Sequence, residues 1–419
     1  MDIKVKRFVV GRGRPVVEIV DSNNCIYSPL VSLYLTIKEE FSHNTLMRVA
    51  YELRFFLVWL NNNSINLVDR VKSGEFLNDR EVARFAEDSK RRAGSEHYLT
   101  IPARPTEKYL SNVMHQLVRR ETTVAPGVTN GRLRRAADYI SFIHRELNRH
   151  VLPDCFAINL SRNLSLLETA HRREQYRGQS SIEHVEGKTI SNEIMDKLFS
   201  IIHVNHPDNP FSESVRARNA IVVKLLVDTG IRRGALAKLK ISDISFHGRV
   251  RKILIRRSRW DETDPRKNKP EHKTQDHFCY PSNETTLELK RYIEEYRPLV
   301  PGSECHEFVF VAEKNSRGTK GEPISVDTIN YIFSRLSAVL GTRIYPHILR
   351  HCWNERFSDL GKESGLSPVE VDKYRKLLMG WSPTSEMPER YNKIRDVEKS
   401  QEIARLHQRD MMSGFKDEK

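Results

Sequence analysis

The chain has 419 residues, with 69 Lys and Arg against 55 Asp and Glu, and so a formal charge of +14. With 38% hydrophobic and 30% charged residues it has the make-up of a folded globular protein, long enough for two or three domains of about 100–200 residues each. The cationic surplus favours a polyanionic partner, and five cysteines, odd in number and without a CxxC pair, argue against a disulfide framework or a zinc site.

Met1 to Arg7 lacks the apolar core of a secretory leader. Arg7-Phe8-Val9-Val10 and Val16-Val17-Glu18-Ile19-Val20 flank Gly11-Arg12-Gly13-Arg14-Pro15, which predicts a small β-rich extension over residues 1–35; a DNA-contacting arm is the alternative. Leu46, Val49, Ala50, Leu53, Phe56, Leu57 and Leu60 then recur at three- and four-residue steps, the stripe of an amphipathic helix. Similar stripes over Asp79–Arg92, Thr106–Arg120 and Arg132–Asn148 complete a helical bundle across residues 40–150. Arg119, Arg120, Arg132, Arg134 and Arg135 fall on its polar stripes or near helix ends and are expected to form a phosphate-facing surface. Residues 151–188 lose periodicity and read as a basic linker carrying Arg172, Arg173, Arg177 and Lys188.

A second domain is expected over residues 189–412, followed by a tail at 413–419. It opens on a helix with Ser191 as N-cap and continues with a helix from Ser214 to Asp228. The most apolar stretch of the chain, Ile221 to Val227, lies there; broken by Lys224, it is far short of the roughly 18 residues of a membrane span, so no membrane is expected and a cytoplasmic protein is. A turn at Thr229-Gly230, a short helix from Arg232 to Leu239, and strands at Val250–Ile255 and His277–Tyr280 follow. The polar segment between the strands holds Lys267, Lys269 and Lys273, of which the first two are read as DNA-binding. There is no GxxxxGK[ST] loop, so nucleotide hydrolysis is not expected to drive the chemistry.

Four segments of this half stand out together: Thr229-Gly230-Ile231-Arg232, His347-Ile348-Leu349-Arg350, Leu378-Met379-Gly380-Trp381, and Glu389-Arg390-Tyr391. In order and spacing they resemble the active site of the tyrosine recombinase, or phage integrase, family, with Arg232, Lys273, His347, Arg350, Trp381 and Tyr391 at the catalytic positions. The resemblance covers about Ile190 to Asp396, and the preceding bundle is similar to the family's core-binding domain. It implies a mainly α fold with a small antiparallel sheet: a helical, SAM-like core-binding bundle and an α+β catalytic domain ending in a helix.

The residue types suit that chemistry. Two guanidinium forks, Arg232 and Arg350, can clamp the non-bridging oxygens of a phosphodiester with bidentate bonds. Tyr391, with an ordinary pKa of about 10, needs a proton acceptor, which His347 supplies as general base. Lys273 is the natural general acid for the departing 5′ oxygen, and Trp381 can give an indole N–H to the phosphate. What the resemblance implies is a site-specific recombinase of mobile-element type that forms a 3′-phosphotyrosyl link without metal, ATP or other cofactor. Its partners would be double-stranded DNA, three further copies in a tetramer on two DNA sites, and accessory DNA-bending or partner recombinase proteins. Ala235 stands where the family usually carries an acidic residue, and Trp381 and Tyr391 are ten residues apart where about nine is usual. A DNA-binding regulator of the same fold with a drifted pocket, or a type IB topoisomerase or telomere resolvase, are the rival readings.

Overall fold

The computed structural model describes residues 2–9, 15–91, 123–148, 153–179, 190–247, 250–258, 261–266, 269–272, 274–315, 318–389, 392, 400, 403–404 and 406–407. It divides into two compact units, Met1–Ile182 and Glu183–Lys419. No helix among the described residues is long and apolar enough to cross a membrane.

The first unit opens on an antiparallel hairpin, β1 (Lys4–Val9) and β2 (Pro15–Val20), in the register Lys4↔Val20 to Val9↔Pro15. Val17 and Ile19 of β2 are buried against helices α1 (Pro29–Thr36) and α2 (His43–Asn62). The predicted stripe of α2 is the buried one: Leu46, Val49, Leu53, Phe56 and Leu60 all face the core. Ser42 caps that helix through the Thr45 amide at 3.4 Å. Helices α3 (Leu67–Lys72), α4 (Asp79–Asp88) and α5 (Pro126–Leu147) close the bundle, with Asn78 and Glu81 forming a reciprocal capping box on α4. Trp59 and Phe85, 5.0 Å apart and edge to face, share its core with Leu133, Tyr139 and Ile140. The helix predicted at Thr106–Arg120 lies outside the described residues.

The basic linker is corrected by the structure. Asp154–Gln179 is one 26-residue helix, α6, packed along α5 and α4 as part of the first unit. Phe156, Leu160, Asn163, Leu167 and Ala170 repeat at four- and three-residue steps, and Leu167 is buried in the core. At the centre of this stripe sits a polar residue, Asn163, whose side chain donates to the Leu77 carbonyl at 2.5 Å. That polar centre, within a helix otherwise dense in Ser and Arg, hides the period from an apolar count.

The second unit packs α7 (Asn192–Ile202), the central α8 (Glu213–Thr229), α10 (Asn283–Arg291), α11 (Val326–Leu340) and α12 (Pro346–Glu363) around one core that includes Leu198, Val222, Leu225, Leu289, Phe333 and Leu349. The short α9 (Arg233–Ala237) follows α8. A three-stranded antiparallel sheet runs β3 (Ile244–Ser245), β4 (Lys252–Ile255), β5 (His277–Cys279), with Ile253 opposite Cys279 and Ile255 opposite His277. Helix α13 (Pro368–Met379) starts at a Ser367–Glu370 capping box and packs on α12 and β5. Both domains are therefore mainly helical with small antiparallel sheets, as expected.

Candidate active site

Helix α8 ends where Gly230 takes a left-handed φ of +60° and its N–H returns to the Leu226 carbonyl at 3.1 Å. The chain then re-enters helix at once, and Arg232 becomes the N-cap residue of α9. This tight reversal is held from α12. Arg350, only 2% exposed, donates from Nη1 to the Gly230 carbonyl at 2.6 Å. One turn on, Trp353 donates its indole N–H to the Asp228 carbonyl at 2.9 Å, and a Cβ on Gly230 would lie 2.8 Å from its ring. The segment bearing the first arginine is thus bonded directly to the helix bearing the second.

Pro346 opens α12 and places His347 in its first turn, three residues before Arg350 and on the same side of the helix. The His347 ring is exposed and meets the His351 ring edge to face, 4.6 Å away. Trp381 follows α13 through Gly380, which has a φ of +62°, and lies over the Arg350 guanidinium with 5.5 Å from Cζ to the ring centre. Trp381 is buried in a small cluster with Met379, Trp353 and Met387. This loop is locked to the hairpin of β5: the Gln275 amide donates to the Gly380 carbonyl at 2.8 Å.

Two histidines that sequence reasoning passed over complete the described site. His277 Nδ1 donates to the Gln275 carbonyl at 2.9 Å, and burial lowers its basicity, with the charges of Arg350 and Arg232 acting the same way. His272 is 2% exposed, and its Nε2 is hydrogen-bonded to Thr274 Oγ1 at 2.5 Å. Burial above all, then His277 and the charges of Arg232, Arg350 and Lys238, push its pKa down to about 3. Both arginines act electrostatically on the same two imidazoles, so Arg232, Arg350, Trp381, His272 and His277 share one neighbourhood. Neither histidine falls on an apolar stripe, so nothing in the periodicity marks them.

Lys273 and Tyr391 lie outside the described residues; their chain neighbours do not. Lys273 stands between His272 and Thr274, which bond each other. Asn392, next to Tyr391, is tied to α13, accepting from Arg375 Nη1 at 3.2 Å and donating to Asp372 at 3.3 Å. Arg375, 1% exposed, also donates to Ser358 Oγ and so links α13 to α12. Among the described residues no cluster of three or more His, Cys, Asp or Glu side chains is placed to hold a metal ion.

The residues expected to bind DNA separate sharply. Arg119, Arg120 and Lys267 are outside the described residues. Arg134 is exposed, as expected. Arg132 and Arg135 are not on an outer face and are corrected here. Arg132 is buried, with Nη1 on the Ser89 and Arg91 carbonyls at 2.8 and 2.6 Å and its guanidinium over Phe55. Arg135 is buried against Glu52 at 3.2 Å and Asp138 at 2.9 Å. The stems of both side chains start on the edge of the apolar stripe of α5 and reach carbonyls and carboxylates inside the unit. Lys269 is half-buried and donates to the Asp261 carbonyl at 2.8 Å.

The phage integrase family model matches residues 192–397, the span that contains this whole neighbourhood. The chain belongs to the phage integrase family. Members of this tyrosine recombinase family are enzymes that cleave and rejoin DNA strands. Tyrosine recombinase XerA of Saccharolobus solfataricus is 23% identical over 158 residues, 38% of this chain and 41% of that protein's length. Among solved structures, the Tn1549 transposon integrase in complex with circular intermediate DNA aligns at 14% identity and a TM-score of 0.49, over 86% of this chain and 93% of the other. A lambda integrase dimer bound to a COC′ core site aligns at 14% identity and a TM-score of 0.45, over the same shares, 86% and 93%. In this phage integrase family member Ala235 is buried in the core at the position where an acidic residue is usual. The turn before Arg232 is held instead by Arg350 on Gly230 and Trp353 on Asp228.

Proposed function

We propose that the protein is a site-specific DNA recombinase of mobile-element type that cleaves and rejoins strands of double-stranded DNA through a 3′-phosphotyrosyl intermediate on Tyr391. The observation that carries this reading is the bond from Arg350 to Gly230, which fixes the two-arginine pair, together with Trp381 over the same guanidinium. In this reading Arg232 and Arg350 hold the non-bridging oxygens of one phosphodiester and stabilise the charge that gathers there as the tyrosine attacks. His347, on the exposed first turn of α12, accepts the phenol proton, and Lys273 protonates the departing 5′ oxygen. The phosphotyrosyl ester keeps the energy of the broken bond, so a second 5′ hydroxyl reseals the strand. Four copies on two DNA sites would repeat the step on each strand, and accessory DNA-bending proteins would set the direction of exchange.

The test is a nicked duplex that loses the short cleaved strand and so traps the intermediate, its site first selected from randomised duplexes by covalent capture. In EDTA and without ATP, the protein forms an adduct stable in denaturant, and Tyr391→Phe forms none. An adduct that survives Tyr391→Phe, or no adduct from any selected site, overturns the reading.

A further inference from the structure

Among the buried cations of the second unit that the mechanism above does not use is Lys238, the lysine nearest Arg232 in sequence. Lys238, one residue past α9, is 8% exposed, and its Nζ donates to Ser258 Oγ at 2.5 Å and to the Ser258 carbonyl at 3.4 Å. Burial lowers its affinity for a proton, with Asp261 and Asp264 opposing that and Arg266 and Lys240 adding to it. A lysine taken this far from water, with a serine as its bonded partner, carries a desolvation cost.

What it holds is the loop end of the hairpin formed by β4 and β5, the stretch of chain to which Lys273 belongs in sequence. Ser258 forms the last bridge of that hairpin: the His272 amide donates to the Ser258 carbonyl at 3.1 Å. Two further contacts bring the same segment onto α9. A Cβ on Gly234 would stand 3.0 Å from the Glu271 carbonyl oxygen, so the backbones approach as closely as glycine allows. Arg266 Nη1 donates to the Ala237 carbonyl at 2.8 Å. Arg232 is the N-cap residue of helix α9, so the element that presents the first arginine is also the platform on which the hairpin sits.

We propose that Lys238 is a positioning residue for the general acid: through Ser258 it fixes the hairpin on α9 and so sets Lys273 at a constant place relative to Arg232. This rests on the assignment of Lys273 above. In cleavage the P–O5′ bond breaks, its electron pair goes to O5′, and that oxygen takes a proton from Lys273 Nζ. If sulfur replaces the bridging 5′ oxygen, the P–S bond breaks and the thiolate leaves without a proton, since a thiol has a pKa of about 8.5 where an alcohol is closer to water at about 15.7. A defect confined to placing the acid therefore disappears on the sulfur substrate, whereas a defect in folding, DNA binding or the nucleophile persists.

The experiment compares adduct formation on the selected nicked duplex carrying either oxygen or a 5′-bridging phosphorothiolate at the cleaved position. Wild type and Lys273→Ala serve as controls: loss on oxygen and recovery on sulfur for Lys273→Ala upholds the acid assignment, and no recovery removes both that assignment and this inference. With that control in place, Lys238→Met, apolar and of similar length, is expected to be about tenfold or more slower on oxygen and within about twofold of wild type on sulfur. Ser258→Ala, which removes only the hydroxyl acceptor, should show the same pattern more weakly. Equal losses on both substrates, or no loss on oxygen, overturn the inference while leaving the recombinase reading intact.

Discussion

Gly380 shows how much of this site depends on single atoms. A Cβ there would stand 2.3 Å from His277 Nδ1 and 2.6 Å from the Gln275 carbonyl, and the residue sits at a φ of +62° that L side chains resist. Gly380→Ala therefore combines roughly 1–2 kcal/mol of left-handed backbone cost with about 1–3 kcal/mol of overpacking. The second unit should lose about 2–5 kcal/mol, read as a lower Tm, and Trp381 should leave its place over Arg350, read as slower adduct formation. An unchanged Tm would show that the loop has slack the contacts deny. Arg232, Arg350 and Trp381, which the structure brings together, are legible in the sequence because each stands in a short motif and the motifs occur in order. Their supports are not. Trp353, His277 and Arg375 act through carbonyl and side-chain partners up to 125 residues away in sequence, as Trp353 does with Asp228, and no local pattern announces such a pairing.

At the scale of elements, α2 and α5 are joined by a buried ion pair whose arginine, Arg135, a reading of the bundle's outer face assigns to DNA. Arg135 meets Glu52 at 3.2 Å, and a Cβ on Gly131 would lie 2.2 Å from Glu52 Oε1, so the carboxylate sits in a notch that only glycine leaves open. Removing Arg135 leaves the buried Glu52 carboxylate with the exposed Arg48 at 3.5 Å; breaking a buried pair typically costs about 3–5 kcal/mol, whereas replacing both partners by apolar residues of similar size is often neutral. Arg135→Met should accordingly destabilise the first unit by roughly 3–5 kcal/mol in urea unfolding, and Glu52→Leu combined with Arg135→Met should recover most of the loss. Exposed Arg134 should behave oppositely: Arg134→Ala leaves stability within about 0.5 kcal/mol and weakens duplex DNA binding in a salt-dependent way. Equal effects from the two neighbours would contradict their opposite burial. Periodicity located the C-terminal end of α5 but missed its first turns, starting at Arg132 where the helix starts at Pro126, and it could not tell which arginine on its flank turns inward, because a guanidinium on a long stem can start near the stripe and finish among carboxylates.

Over the whole second unit, buried titratable groups pull acid stability in two directions. His272, His277 and His306 each hold a proton less readily when folded, burial being the leading cause for all three. For them the unfolded chain binds more protons once the pH drops below about 6.5, so stability is intact above that value and declines as acidity rises. Glu313 works the other way: burial pushes its carboxyl up to about 7, with Arg218 offsetting part, so the folded state keeps a proton that the unfolded chain releases above its ordinary value near 4.5. Its contribution grows as pH falls from about 7 to 4.5, masking part of the histidine loss over the same range. Urea midpoints taken from pH 7 to pH 5 should therefore fall only gently for the native chain, and Glu313→Gln should steepen that fall by about one proton's worth of linkage. His272→Gln should flatten it. Parallel pH profiles for Glu313→Gln and the native protein would mean that Glu313 ionises at an ordinary carboxyl pKa in the folded chain. None of this balance is visible in a sequence that places Glu313 and Arg218 almost a hundred residues apart. It exists only because the core around α8 closes over a carboxylate and a guanidinium that share burial without sharing a hydrogen bond.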